Sequence, residues 1–157
     1  MSNTAAETGW DFVVSDATGR PALVAVVSGR TDARRGWAAK LRRNLVSHGA
    51  PPPADLLILV TPQWAFVWEG EAAASSDDVE PTATLDMEPL LKPYYERSGV
   101  EIGRADGAVF ELSIGSWLRD LTLMGVAADA PRSALESSWA RVRNAVHDGS
   151  VRFSPAA

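Results

Sequence analysis

The sequence predicts an α/β (α+β) domain: a mixed sheet of about four strands in the order β-β-α-β-β, followed by two or three C-terminal helices. Three observations carry that expectation. Two apolar runs near the N-terminus, Phe12-Val13-Val14 and Ala22–Val27, flank the turn-forming Asp16-Ala17-Thr18-Gly19-Arg20. A helical stretch with Trp37, Leu41 and Leu45 at i, i+4 and i+8 separates them from two further strand-like runs. Beyond the acidic middle of the chain the apolar spacing turns helical.

Residues 1–8 are small and polar, as fraying termini are. Trp10–Ser15 reads as a first strand and Pro21–Ser28 as a second. The second is β-branched and apolar on both faces, which suits a sheet centre, and the short turn makes the two an antiparallel hairpin. A helix follows from Asp32 or Ala33 to His48, with Asp32 as its N-cap. Its apolar stripe is Trp37, Leu41 and Leu45 beside Ala38, and Arg35, Lys40, Arg42 and Arg43 spread over the opposite face. Gly49 and Pro51-Pro52-Pro53 end it. Asp55–Thr61 is a third strand, and after Pro62-Gln63 Trp64–Trp68 is a fourth, with Trp64, Phe66 and Trp68 on one face.

Residues 69–83 are acidic and small, the composition of a structureless surface loop. Pro89–Ser98 is a short helix capped by Gly99. Ala108–Met124 carries the stripe Phe110, Ile114, Trp117, Leu121 and Met124. Ser133–Asp148 opens on Ser133 and Glu136 at capping-box spacing and aligns Leu135, Trp139, Val142 and Val146. Val151-Arg152-Phe153 is a last short strand or a docked tail. The expected organisation is one domain over residues 1–157, with a core at 9–69, an acidic loop at 70–84 and a helical part at 85–157.

Composition narrows the chemistry. The 157 residues carry a net charge of -5, no cysteine and two histidines, His48 and His147. A disulfide framework, a thiolate metal site and a histidine-rich site are excluded, which leaves oxygen ligands for any metal. The basic residues are thirteen Arg against two Lys, a bias that suits bidentate contacts to carboxylate or phosphate and that a GC-rich genome also produces. No run approaches the roughly 18 apolar residues of a membrane span, and no basic segment precedes an apolar block at the N-terminus. A cytoplasmic protein without membrane partners is expected.

The first half of the chain resembles the core hairpin of the PD-(D/E)XK nucleases, the restriction-endonuclease-like superfamily. The residues that carry the likeness are Trp10-Asp11-Phe12-Val13-Val14, Asp16…Gly19-Arg20-Pro21 and Ala22-Leu23-Val24-Ala25-Val26-Val27-Ser28. The chain is most similar to a bacterial branch akin to the N-terminal domain of type I restriction subunits. Trp37-Ala38-Ala39-Lys40-Leu41-Arg42-Arg43-Asn44-Leu45, Leu59-Val60-Thr61-Pro62, Phe66-Val67-Trp68, Leu90-Leu91-Lys92-Pro93-Tyr94 and Ser116-Trp117-Leu118-Arg119-Asp120-Leu121 extend the likeness over most of the chain.

The resemblance implies a metal-dependent nuclease site. An Asp on the first strand and an acid on the second hold Mg²⁺, and a lysine two residues after the acid orients the attacking water. Residues i and i+2 of a strand share a face, so acid and lysine converge. Asp11 matches the first aspartate, but the acid position falls on Val26 and the lysine position on Ser28. A one-residue shift gives Ala25 and Val27, which is no better, and the leading helix that often supplies a further carboxylate is missing. Asp11 is then vestigial: no catalytic residue, no metal site and no cofactor are expected.

Three functional readings follow. The first is a catalytically inactive nuclease-fold domain acting as an interaction or scaffold module, with a protein partner or a second copy. The second is a Mg²⁺-dependent DNA endonuclease with a displaced site, for which Asp16, Asp32 and Asp55 are the available acids. The third is a non-cleaving nucleic-acid-binding module using Arg30, Arg34, Arg35, Arg42 and Arg43. The stretch from Arg30 to Arg43 holds six basic groups and one acid in fourteen residues. It reads either as a phosphate-contacting face or as a solvated face paired with the acidic residues 69–88.

Overall fold

The computed structural model describes residues 11–47, 54–75, 77–99, 107–124, 142 and 145–153. Its elements are β1 (Phe12–Ser15), β2 (Pro21–Val27), α1 (Arg35–Ser47), β3 (Leu56–Val60), β4 (Trp64–Glu69), α2 (Glu71–Ala74), β5 (Ala83–Asp86), α3 (Glu88–Ser98), α4 (Gly107–Met124) and β6 (Ser150–Phe153). The strands form one mixed six-stranded sheet in the order β5-β4-β3-β2-β1-β6. β1 and β2 are an antiparallel hairpin, and β3 and β4 another. Between the hairpins, β2 and β3 pair in parallel from Leu23↔Leu56 to Val27↔Val60. A parallel pair needs a long crossover, and α1 supplies it.

The hairpin turn is built as its residues require. Asp16 Oδ1 accepts the Thr18 N–H at 2.9 Å and the Arg20 N–H at 3.1 Å. The Thr18 hydroxyl, donating to the same oxygen, does most to hold the Asp16 carboxyl below its usual pKa. Gly19 takes the positive φ of 87° that closes the turn.

Both faces of the sheet are covered, and the strands alternate between them. Phe12, Val14, Leu23, Ala25, Leu56, Ile58, Val60, Ala65, Val67 and Leu85 form one core with buried residues of α3 and α4. The α4 residues in that core are Phe110, Ile114, Trp117, Leu118 and Leu121. On the other face Val26, Leu57, Leu59, Phe66 and Trp68 pack with Ala33 and Ala38, and Trp37, Leu41 and Leu45 lie partly buried beside them.

Several expectations are corrected. The sheet has six strands, not about four. β5 is a short edge strand in which Leu85 alone is fully buried, so its residues show no apolar run. β6 resolves the strand-or-tail alternative by pairing with β1 from Phe12↔Phe153 to Ser15↔Ser150. The acidic stretch contains α2 and packs on the sheet. α1 starts at Arg35 rather than at Asp32 or Ala33, and Asp32 pairs with Arg30 instead of capping it. Of the three aromatic residues placed on one face of β4, Phe66 and Trp68 are buried and Trp64, at the start of the strand, is 39% exposed. The helix from Pro89 to Ser98 keeps its Gly99 cap in the left-handed conformation (φ 71°). The frayed terminus, His48, Gly49, the proline run, Leu135 and Trp139 lie outside the described residues. Residues 142, 145 and 146 are helical, with Val142 and Val146 buried in the α4-side core. Among the described residues no helix is long and apolar enough to cross a membrane.

Two glycines give a contrasting stability test. A Cβ on Gly149 falls 1.6 Å from the Ser15 carbonyl oxygen, whereas on Gly115 it meets only the tip of the Phe12 ring at 3.3 Å. Gly149→Ala should therefore lower the unfolding free energy by more than about 2 kcal/mol in a urea titration, since backbone must move. Gly115→Ala should stay within about 1 kcal/mol of wild type, because helix propensity offsets a small ring displacement.

Candidate functional site

Asp11 sits at the start of β1, beside the C-terminal end of β2. Its N–H donates to the Ala25 carbonyl at 2.9 Å, and its Oδ2 accepts the Val27 N–H at 2.7 Å. The pairing of the hairpin ends at Phe12↔Ala25, and Asp11 bonds back to the same Ala25 rather than extending the ladder to Val26. The carboxylate thus stands at the Val27 amide, while Val26 packs in the core under α1. Ser28 follows at the strand end, where its N–H donates to Val60 and its Oγ accepts the Arg30 N–H at 3.3 Å.

The Asp11 carboxyl is buried, with 8% of its surface exposed. Loss of water raises its pKa from 3.8 to about 6; the Val27 N–H works against that shift, and the negative charge of Glu111 on α4 adds to it. Glu111 is the residue that sequence reasoning missed. It lies one hundred positions away and on the exposed side of an apolar helix, so no local spacing links it to Asp11.

The other candidate acids are elsewhere. Asp16 lies in the β1–β2 turn, at the N-terminal end of β2, and Asp55 immediately precedes β3. Because β2 and β3 are parallel, both stand at the opposite sheet end from Asp11, roughly 15 Å away at the rise of a strand. Asp32 is on the Asp11 side of the sheet in sequence order, but its Oδ1 receives the Arg30 Nε at 2.9 Å, which holds its carboxyl below the usual pKa. Among the described residues no three His, Asp or Glu side chains gather to hold a metal. Beside Asp11 the nuclease-type donor set is incomplete: Val26 offers no oxygen, Ser28 carries a hydroxyl in place of a cation, and Glu111 is the further carboxylate whose charge reaches Asp11.

The basic stretch is largely engaged within the chain. Arg30 stacks over the Trp37 ring at 4.9 Å in addition to its Asp32 pair. Arg35 Nε lies 3.5 Å from Glu80, and its Nη2 donates to the Pro81 carbonyl at 3.2 Å. Arg43 grips Asp78 with both Nε and Nη1 at 3.3 Å. Arg34 is exposed and has no ion pair among the described residues. Glu80 and Asp78, the acidic partners of Arg35 and Arg43, belong to the stretch expected to be structureless.

Arg42 departs furthest from expectation. It lies not on the solvated face but fully buried on the sheet side of α1, one turn after Ala38. Its Nη1 donates to the carbonyls of Ala73 and Ser75 at 3.4 and 2.6 Å, and its Nη2 to that of Asp77 at 2.5 Å. The guanidinium also stands 5.9 Å from the Trp68 ring centroid. Burial pulls the Arg42 pKa down, against the opposing effect of Asp78 and Asp77. Trp68 Nε1 donates to Val79 at 2.8 Å and completes the attachment.

No family model, curated protein or solved structure matches this chain.

Two predictions follow from these environments. An acid whose pKa is higher folded than unfolded holds its proton more tightly when folded, so stability falls as pH rises between about 4 and 6. Asp11→Asn keeps an acceptor for Val27 and removes that penalty. It should stabilise the protein at pH 7 by at most about 3 kcal/mol, at about 1.4 kcal/mol per pKa unit. The gain should vanish below pH 4, as read from urea midpoints across pH. Arg42→Ala should cost about 2–4 kcal/mol and expose residues 75–80 to proteolysis, because charged hydrogen bonds to buried carbonyls are lost. Arg42→Lys should not restore protection, since an ammonium lacks the planar fork.

Proposed function

We propose that this chain is a restriction-endonuclease-like domain without a working catalytic centre, serving as an interaction or scaffold module for a protein partner or a second copy. One observation carries the reading: Val26, on which the acid position falls, is part of the core under α1. A nuclease of this kind needs an acid there. Here the position contributes to packing, and Ser28 substitutes a small hydroxyl for the lysine. The hairpin–helix–parallel strand order from β1 to β3 agrees with the fold implied by the resemblance. The pairing of Arg35 and Arg43 with Glu80 and Asp78 counts against phosphate contacts by that stretch.

The displaced-site nuclease retains one supporting observation, the charge of Glu111 felt at Asp11. A cleavage assay separates the two. Supercoiled and linear DNA incubated with the full chain and Mg²⁺ or Mn²⁺ should remain intact, with wild type and Asp11→Ala indistinguishable. Metal-dependent cleavage that Asp11→Ala abolishes would overturn the proposal, and its further loss in Glu111→Gln would assign the displaced site.

A further inference from the structure

We propose that the cleft between α3 and α4 binds a small oxyanion, a phosphate or carboxylate group held between Arg97 and Arg119. The cleft has a volume of about 290 Å³, and Tyr94, Leu112, Ser116 and Asp120 line it with the two arginines. That volume lies at the low end of small-molecule sites, so it suits a compact ligand. None of these residues takes part in the Asp11 corner or in the strap held by Arg42.

The side chains are arranged to leave positive charge free. Arg97 lies over the Tyr94 ring, its Cζ 4.6 Å from the centroid, and its Nε donates to the Pro93 carbonyl at 3.3 Å. Stacking and the Nε bond fix the plane of the guanidinium, which also hydrogen-bonds the Tyr94 hydroxyl at the wall of the cleft. Asp120 is the one carboxylate in the cleft, and it accepts the Tyr94 hydroxyl. Burial, then that bond, pushes the Tyr94 pKa upward, so the phenol remains a donor and Asp120 remains occupied. Arg119 is exposed and has no ion pair among the described residues. Two guanidiniums therefore face a single carboxylate already bound to a phenol, on a chain whose net charge is -5.

Leu112, Ser116, Arg119 and Asp120 fall at i, i+4, i+7 and i+8, one face of α4. Ser116 presents an exposed hydroxyl next to Arg119, and Leu112, 66% exposed, forms an apolar rim. The combination offers a fork for two oxygens, a hydroxyl for a third and an apolar edge for the carbon body of a ligand. Guanidinium forks bind carboxylate and phosphate with the same bidentate geometry, so the shared chemistry is the oxyanion.

The test is a titration of the full-length chain, followed by amide chemical shifts of Ser116 and Arg119. Inorganic phosphate and acetate are the two probes, at an ionic strength matched with chloride. The expected result is saturable binding in the millimolar range, weakened about tenfold or more by Arg119→Gln or Arg97→Gln. Arg20→Gln, in the β1–β2 turn, should leave it unchanged. Saturation by phosphate alone identifies a phosphate-bearing ligand, and saturation by acetate as well identifies a carboxylate-tolerant one. Shifts that rise linearly without saturating for both probes, or equal affinity in Arg119→Gln and Arg20→Gln, overturn the proposal. Arg119 is exposed, and the dispersion of the same spectra verifies that the variant is folded.

Discussion

β2 and β3 run parallel at the middle of the sheet, and from Ala22 to Val26 and throughout β3 both faces are buried. Leu23, Ala25, Leu56, Ile58 and Val60 enter the core below α3 and α4. Val26, Leu57 and Leu59 enter the core below α1. Burying each large aliphatic side chain contributes about 1.5–3 kcal/mol, so this pair anchors both cores at once. The parallel pairing demands a crossover, which places α1 over one face. The hairpin partners β1 and β4 then extend the sheet on either side, and the short β6 and β5 complete its edges. The same double burial governs the chemistry of the corner. An ionised acid at position 26 would be taken out of water between Leu57, Leu59 and α1 and would need a cation to remain there. Valine makes no such demand.

α1 is joined to the rest of the chain by a residue that hydropathy places wrongly. Arg42 replaces a solvated guanidinium with one covered by the stretch it organises, and its hydrogens satisfy carbonyls that would otherwise face apolar surface beside Trp68. The salt bridges of Arg35 and Arg43 to Glu80 and Asp78 lie at the solvent boundary, where each is worth at most about 1 kcal/mol. The buried fork holds the strap, and the exposed pairs set its register along α1. The negative stretch thus neutralises much of a helix whose isolated sequence reads as a phosphate-binding face.

The parts of the fold that repeat a local rule were legible. The alternation of Phe66 and Trp68 with Ala65 and Val67, the two-faced run of β2, the Asp16 turn and the Gly99 cap each follow from spacing or turn chemistry. What escaped depends on contacts between distant residues. The burial of Arg42 is fixed by carbonyls more than thirty residues away, and composition alone made those residues look disordered. β5 has too few buried side chains to announce itself. At the candidate site, the place of Asp11 beside the end of β2 was identifiable because a short turn makes the two strands a hairpin, while Glu111 was not, because only the docking of α4 brings its charge near. Asp16 and Asp55 were plausible in sequence and are separated from Asp11 by strand direction.

The central claim is that Asp11 is a buried carboxyl that accepts the Val27 N–H and does not ligate Mg²⁺. Carboxyl ¹³C NMR of Asp11 across pH, with and without millimolar Mg²⁺, measures this directly. The account predicts a midpoint at about 6 that Mg²⁺ leaves in place. A midpoint that Mg²⁺ drives downward, as ligation of a divalent cation by the carboxylate requires, would contradict it.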